Sequence, residues 1–138
     1  MTPDPRHVLE TTTGPETLND IQRVLDEVWQ DHDVPEIVRI HMDLAAGEIG
    51  ANIIEHSGDG SPVRLRMEVR MLPDAVQATF TDDGRPARID LVGATLPDEL
   101  AERGRGLAMA HRVLDELSYR RDDRGNHWTL VRKRTMDE

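Results

Sequence analysis

Apolar residues recur along this chain with two different periods. His7 to Thr12 has strand character, and Gly14-Pro15 ends it. Leu18, Ile21, Val24, Leu25, Val28 and Trp29 then recur at helical spacing, which predicts a helix from about Pro15 to Gln30 with its cap near Thr13 or Gly14. Trp29 reads as a packing residue of that helix. After the polar break Asp31-His32-Asp33, a second helix is predicted from Val34 or Pro35 toward His56, with a turn near Ile40–Met42 as the alternative. Ser57-Gly58-Asp59-Gly60 closes it. The period then changes. Val63, Leu65, Met67 and Val69 alternate with Arg64, Arg66, Glu68 and Arg70, and Val76, Ala78 and Phe80 alternate with Gln77 and Thr79. Leu72-Pro73-Asp74 between the two runs marks a hairpin with one face wet or only partly covered.

Asp82 to Arg103 breaks both periods, with Gly84, Pro86, Gly93 and Pro97 scattered through it. It reads as a long loop, with a short helical turn at Leu96–Leu100. A helix follows from Gly106 to Leu114. Two strands, Leu117–Arg121 and His127–Val131, are joined around Asp122–Asn126, and Thr135 to Glu138 forms a polar tail. The order strand, helix, helix, strand, strand, loop, helix, strand, strand predicts an α/β two-layer sandwich. A mostly antiparallel, mixed sheet would be covered on one face by helices. The repeating parallel units of a dinucleotide-binding fold are missing. One domain over residues 1–138, with its core at 7–134, is the economical reading.

Composition narrows the functional classes. The chain has 138 residues and no cysteine, which removes disulfide and thiolate chemistry. Only 3% of residues are aromatic, so packing rests on aliphatic side chains. No apolar run approaches the ~20 residues needed to span a bilayer, and the N-terminus lacks a secretion signal, so a cytoplasmic protein with no membrane role is expected. The net charge of −10 is uneven: residues 1–60 hold 3 basic and 13 acidic side chains, residues 61–138 hold 14 of each. That balance argues against nucleic-acid binding. The acidic half reads either as a docking surface for a basic partner or as a solubility device. No GxxxxGK[ST] loop occurs, so any phosphate must be handled by another device.

Three polar stretches carry the candidate chemistry. Glu48, Asn52 and His56 are four residues apart and share one helix face. Gly47 and Gly50 flank Glu48 at a helix-propensity cost of about 1 kcal/mol each, which calls for close approach by a ligand or by another helix. Asp82-Asp83-Gly84 follows a strand. A buried carboxylate at Asp82 would need a donor. Gly104-Arg105-Gly106-Leu107 precedes a helix, where glycines let backbone amides approach an anion and Arg105 can add a charged contact.

In this order the stretches resemble the GHKL (Bergerat) ATP-binding superfamily, and within it the anti-sigma factor serine-protein kinases of the RsbW and SpoIIAB type, over nearly the whole chain. Glu48-Ile49-Gly50-Ala51-Asn52 resembles the N-box, Asp82-Asp83-Gly84 the Asp-x-Gly motif, and Gly104 to Leu107 the glycine-rich box at the end of the ATP lid. Pro86 stands where the fuller Asp-x-Gly-x-Gly motif has its second glycine, which stiffens that loop. The resemblance implies ATP and Mg2+ as cofactors, Asn52 as the metal ligand and Glu48 as the general base. It also implies that Asp82 binds the adenine amino group, with Gly84, Gly104, Arg105, Gly106 and Leu107 around the nucleotide and Thr129 near the adenine. His56 reads as structural. The implied function is an ATP-dependent protein serine kinase that sequesters a partner and phosphorylates a STAS-domain antagonist, in a pathway with a sigma factor or another target and a PP2C-type phosphatase. Dimerisation is common in that family, so a homodimer is compatible, though no dimer face can be read from the residues. The competing reading is an interaction module that binds nucleotide without transferring phosphate. A detached histidine-kinase ATPase domain ranks below both.

Overall fold

The computed structural model describes residues 6–57, 61–86 and 107–134. Strand β1 (Arg6–Thr12) is followed by helices α1 (Thr17–Asp31) and α2 (Glu36–Asn52), and α2 runs into a single π-helical turn, Ile53–Ser57. Strands β2 (Arg64–Met71) and β3 (Ala75–Asp82) form the expected hairpin. A helical segment at residues 107–113 (α3) leads into strands β4 (Glu116–Asp122) and β5 (Gly125–Lys133). The five strands form one sheet in the order β1-β2-β3-β5-β4, and every pairing is antiparallel. The expected two-layer α/β sandwich with a mostly antiparallel sheet is observed, and among the described strands the sheet is antiparallel throughout rather than mixed. β4 runs in the same direction as β3, but β5 lies between them, so no parallel pair forms among the described residues.

Alternation along the strands divides the sheet into two faces. Met67, Val69, Val76, Ala78, Phe80, Trp128 and Leu130 are buried on one face. Ile21, Leu25, Val28, Val38, Met42, Ile49 and Ile53 supply the helical side of the same core. Phe80 pairs across strands with both Met67 and Trp128, which places the largest side chains at the centre. Burying one such side chain contributes about 1.5–3 kcal/mol. Arg64, Arg66 and Arg70 stay exposed on the other face, as the hairpin pattern predicts.

The helices depart from expectation at their ends. α1 begins at Thr17, after Pro15 and Glu16. Thr17 Oγ1 accepts a hydrogen bond from the Gly14 amide at 2.7 Å. Thr13 is drawn elsewhere: its amide donates to the Val63 carbonyl and its hydroxyl accepts from the Val63 amide, extending the β1–β2 ladder. α2 is continuous through Ile40–Met42. A Cβ at Gly50 would meet Ile21 Cδ1 at 2.6 Å, so Gly50 marks tight packing of α1 on α2, whereas a Cβ at Gly47 would meet open space. Trp29 packs against the core and its indole donates to Asp43 Oδ1 at 2.9 Å. Burial of Asp43 raises its pKa, and the indole bond opposes that rise.

Candidate functional site

The end of α2 and the end of β3 meet. α2 changes to a π turn at Ile53, immediately after Asn52. Such turns leave some backbone groups with altered partners and recur at functional sites. Here the turn delivers Ser57 against the loop that follows β3. The Arg85 amide donates to the Ser57 carbonyl at 2.8 Å, and a Cβ on Gly84 would stand 2.6 Å from both Ser57 Cβ and Ser57 O. Only a glycine lets these two segments sit this close. The helix carrying Glu48 and Asn52 is thereby locked to the turn carrying Asp82. Asn52 is buried and Glu48 is half-buried.

Asp82 is 1% exposed. Its Oδ1 accepts two hydrogen bonds, from the Gly84 amide at 2.9 Å and from Asn126 Nδ2 at 3.0 Å. Its Oδ2 is buried with no partner among the described residues. A buried acceptor left open is costly and calls for a donor. Asn126 is placed by register, directly across from Asp82 on β5. Its amide nitrogen also donates to the Arg85 carbonyl at 2.7 Å, and its oxygen accepts from Arg121 at 3.0 Å and from the Tyr119 hydroxyl. Arg121 donates in turn to the Gly84 carbonyl at 2.9 Å. Gly125, at φ +126°, completes the arrangement, since a Cβ there would lie 2.0 Å from the Asp82 carbonyl oxygen.

The residues singled out in the sequence fall into four groups. Asn52, Asp82 and Gly84 stand on the two segments that meet, with Glu48 one turn before Asn52. Leu107 is buried in the same core as Ile49 and Ile53. Gly104, Arg105 and Gly106 lie outside the described residues. Thr129 is corrected. It pairs with Thr79 and Ser118, whereas Asp82 pairs with Asn126, three positions away along β5. An odd spacing on a strand places two side chains on opposite faces, so Thr129 points away from Asp82. Asn126 is the residue that sequence reasoning missed as part of the site. No sequence signal marked it, because only the pairing of β5 with β3 brings it opposite Asp82.

A family profile described as "Histidine kinase-like ATPase domain" matches residues 11–132, most of the chain. The chain belongs to this family. In the histidine kinase-like ATPase domain formed here, the matched span runs from β1 into β5 and includes every described residue of the site. The chain is also similar to a solved structure, the histidine kinase domain from Erythrobacter litoralis EL346 blue-light activated histidine kinase. Identity is 17% and the TM-score is 0.54, with 86% of this chain and 61% of that one covered. The likeness at that identity is one of fold, and this chain spans less than two thirds of that domain's length. No curated protein matches the chain. Among the described residues, no helix is long and apolar enough to cross a membrane.

Proposed function

We propose that the chain is an ATP-dependent protein serine kinase that also sequesters a partner. Its substrate on this reading is a STAS-domain antagonist, within a partner-switching system that includes a PP2C-type phosphatase and a sigma factor or another regulatory target. The observation that carries the nucleotide part is the buried, open Oδ2 of Asp82, whose need for a donor suits an adenine amino group. Asn126 and the Gly84 amide hold the other oxygen and so orient the carboxylate. On the phosphate side, Asn52 offers a neutral amide oxygen of the kind that suits Mg2+, which when bound offsets phosphate charge. Glu48 supplies a carboxylate one helical turn away, positioned to orient a serine hydroxyl and accept its proton.

The second reading, a module that binds nucleotide without transferring phosphate, is favoured by Pro86 in place of the second glycine of the Asp-x-Gly-x-Gly motif. Incubation with a recombinant STAS-domain protein and Mg·ATP, read by mass spectrometry for phosphoserine, separates the two. The kinase reading expects phosphoserine with the wild type and none with Glu48→Gln, while both bind ATP. ATP binding without transfer to any STAS-domain candidate would favour the second reading.

A further inference from the structure

A groove of about 570 Å3 opens on the helix-free face of the sheet, at the same end as Asp82 but on the side away from the helices. It lies over the ends of β1, β2 and β3. Its polar lining includes Thr12, Arg64, Arg66, Thr81 and Arg124. Register explains why these meet. Glu10, Arg66, Thr81 and His127 are cross-strand partners in one row, and Thr12 sits opposite Arg64 in the next row toward the sheet end.

The charges in the groove are unequally engaged. Glu10 is paired with Arg66 at 3.2 Å. Asp83 Oδ1 accepts from the Arg64 backbone amide at 2.8 Å. The guanidiniums of Arg64 and Arg124 have no ion-pair partner among the described residues. Thr81 adds a hydroxyl 3.4 Å from His127 Nδ1, and His127 is held from its far side by Asp122 at 2.7 Å. Asp122 is committed to that role: the His127 bond, then the Arg124 amide and Arg120, hold its carboxyl well below the usual range. Glu10 and Asp83 are thus engaged, Asp82 also borders the groove from its buried position, and Arg64 and Arg124 with two threonines line the open volume. Guanidinium forks and hydroxyls are donors suited to oxyanions. The volume falls within the range of small-molecule sites.

We propose that this groove binds a small, multiply charged oxyanion, a phosphate ester or a polycarboxylate, between Arg64 and Arg124. The groove opens on the opposite face of the sheet from the proposed nucleotide pocket, and Asp82 borders both. The two share only the Asp82–Gly84 turn, which Asp83 ties to the Arg64 backbone.

Calorimetric titration with tripolyphosphate and, separately, citrate tests this. Wild type is compared with Arg64→Ala, Arg124→Ala, the double variant, Arg70→Ala on the same face, and Asn52→Ala. The wild type should bind at least one probe, and each single variant should weaken it. The double variant should weaken it at least tenfold, while Arg70→Ala and Asn52→Ala leave it unchanged. Tripolyphosphate alone would identify phosphate esters as the source, citrate alone would identify polycarboxylates, and both would support the shared chemistry. Failure of the wild type to bind either probe overturns the proposal. So does equal binding by a double variant that melts like the wild type, or loss of binding in Asn52→Ala, which would place the anion in the nucleotide pocket.

Discussion

Replacing Gly125 by alanine measures how far the site depends on the turn between β4 and β5. Gly125 has φ +126°, and an added Cβ would stand 2.0 Å from the Asp82 carbonyl oxygen and 3.1 Å from Asp83 Cα. An L-residue in that backbone region costs about 1–3 kcal/mol. The contact is with main chain, so no side chain can rotate away, and forcing the strands apart adds about 1–3 kcal/mol. The sum, about 2–6 kcal/mol, is a large part of the ~5–15 kcal/mol typical of a domain. At about 3 °C per kcal/mol for this chain length, the variant should melt roughly 6–18 °C lower. Thermal unfolding followed by circular dichroism reads this directly. Gly47→Ala is the control, because its Cβ meets nothing within 4 Å. It should gain up to about 1 kcal/mol of helix propensity and melt slightly higher. A Gly125→Ala protein melting within about 2 °C of wild type would refute the reasoning. So would a Gly47→Ala protein that falls as far.

Three further outcomes follow from the same geometry. Gly84→Ala should destabilise by about 1–3 kcal/mol through its contact with Ser57, and should lower ATP affinity by separating the end of α2 from Asp82; denaturant unfolding and calorimetry check the two effects separately. Asn126→Ala should cost about 1–3 kcal/mol in urea unfolding, because it removes the donor to Asp82 and leaves the Arg85 carbonyl without that bond. His41 gives a pH signature. Burial first, then the charge of Arg132, lowers its pKa below the ordinary 6.5, and its Nδ1 accepts from Arg132 Nε at 3.2 Å. A depressed pKa means the folded state favours neutral His41, so its contribution is present above about pH 6.5 and is lost as pH falls through the lower folded value. Urea unfolding at pH 7.5 and pH 5 should therefore show a steeper loss in wild type than in His41→Gln.

Much of this architecture was legible because its signals are local. The Val63–Phe80 alternation specified the β2–β3 hairpin, and Glu48 and Asn52 shared a face by spacing alone. Features that depend on contacts between distant segments were not legible. Asn126 meets Asp82 across 44 residues, and only the β3–β5 register reveals it. That register also puts Thr129 on the far face, a one-residue parity that strand propensity does not encode. The π turn after Asn52 carries no compositional mark, since Ile53 and Ile54 suit an ordinary helix equally well. Gly47 and Gly50 look alike in sequence, but only Gly50 faces α1.

The central claim is that Asp82 and Asn52 form a nucleotide pocket. Isothermal titration of the folded protein with ATP and Mg2+, alongside Asp82→Asn and Asn52→Ala, tests it most directly. The account predicts wild-type binding that depends on Mg2+. Asp82→Asn, which replaces an open acceptor with a donor, should weaken it at least about tenfold, the effect of losing one charged hydrogen bond. Asn52→Ala should remove most of the dependence on Mg2+. A well-folded wild type that ignores ATP, or variants that bind it as the wild type does, would contradict the account.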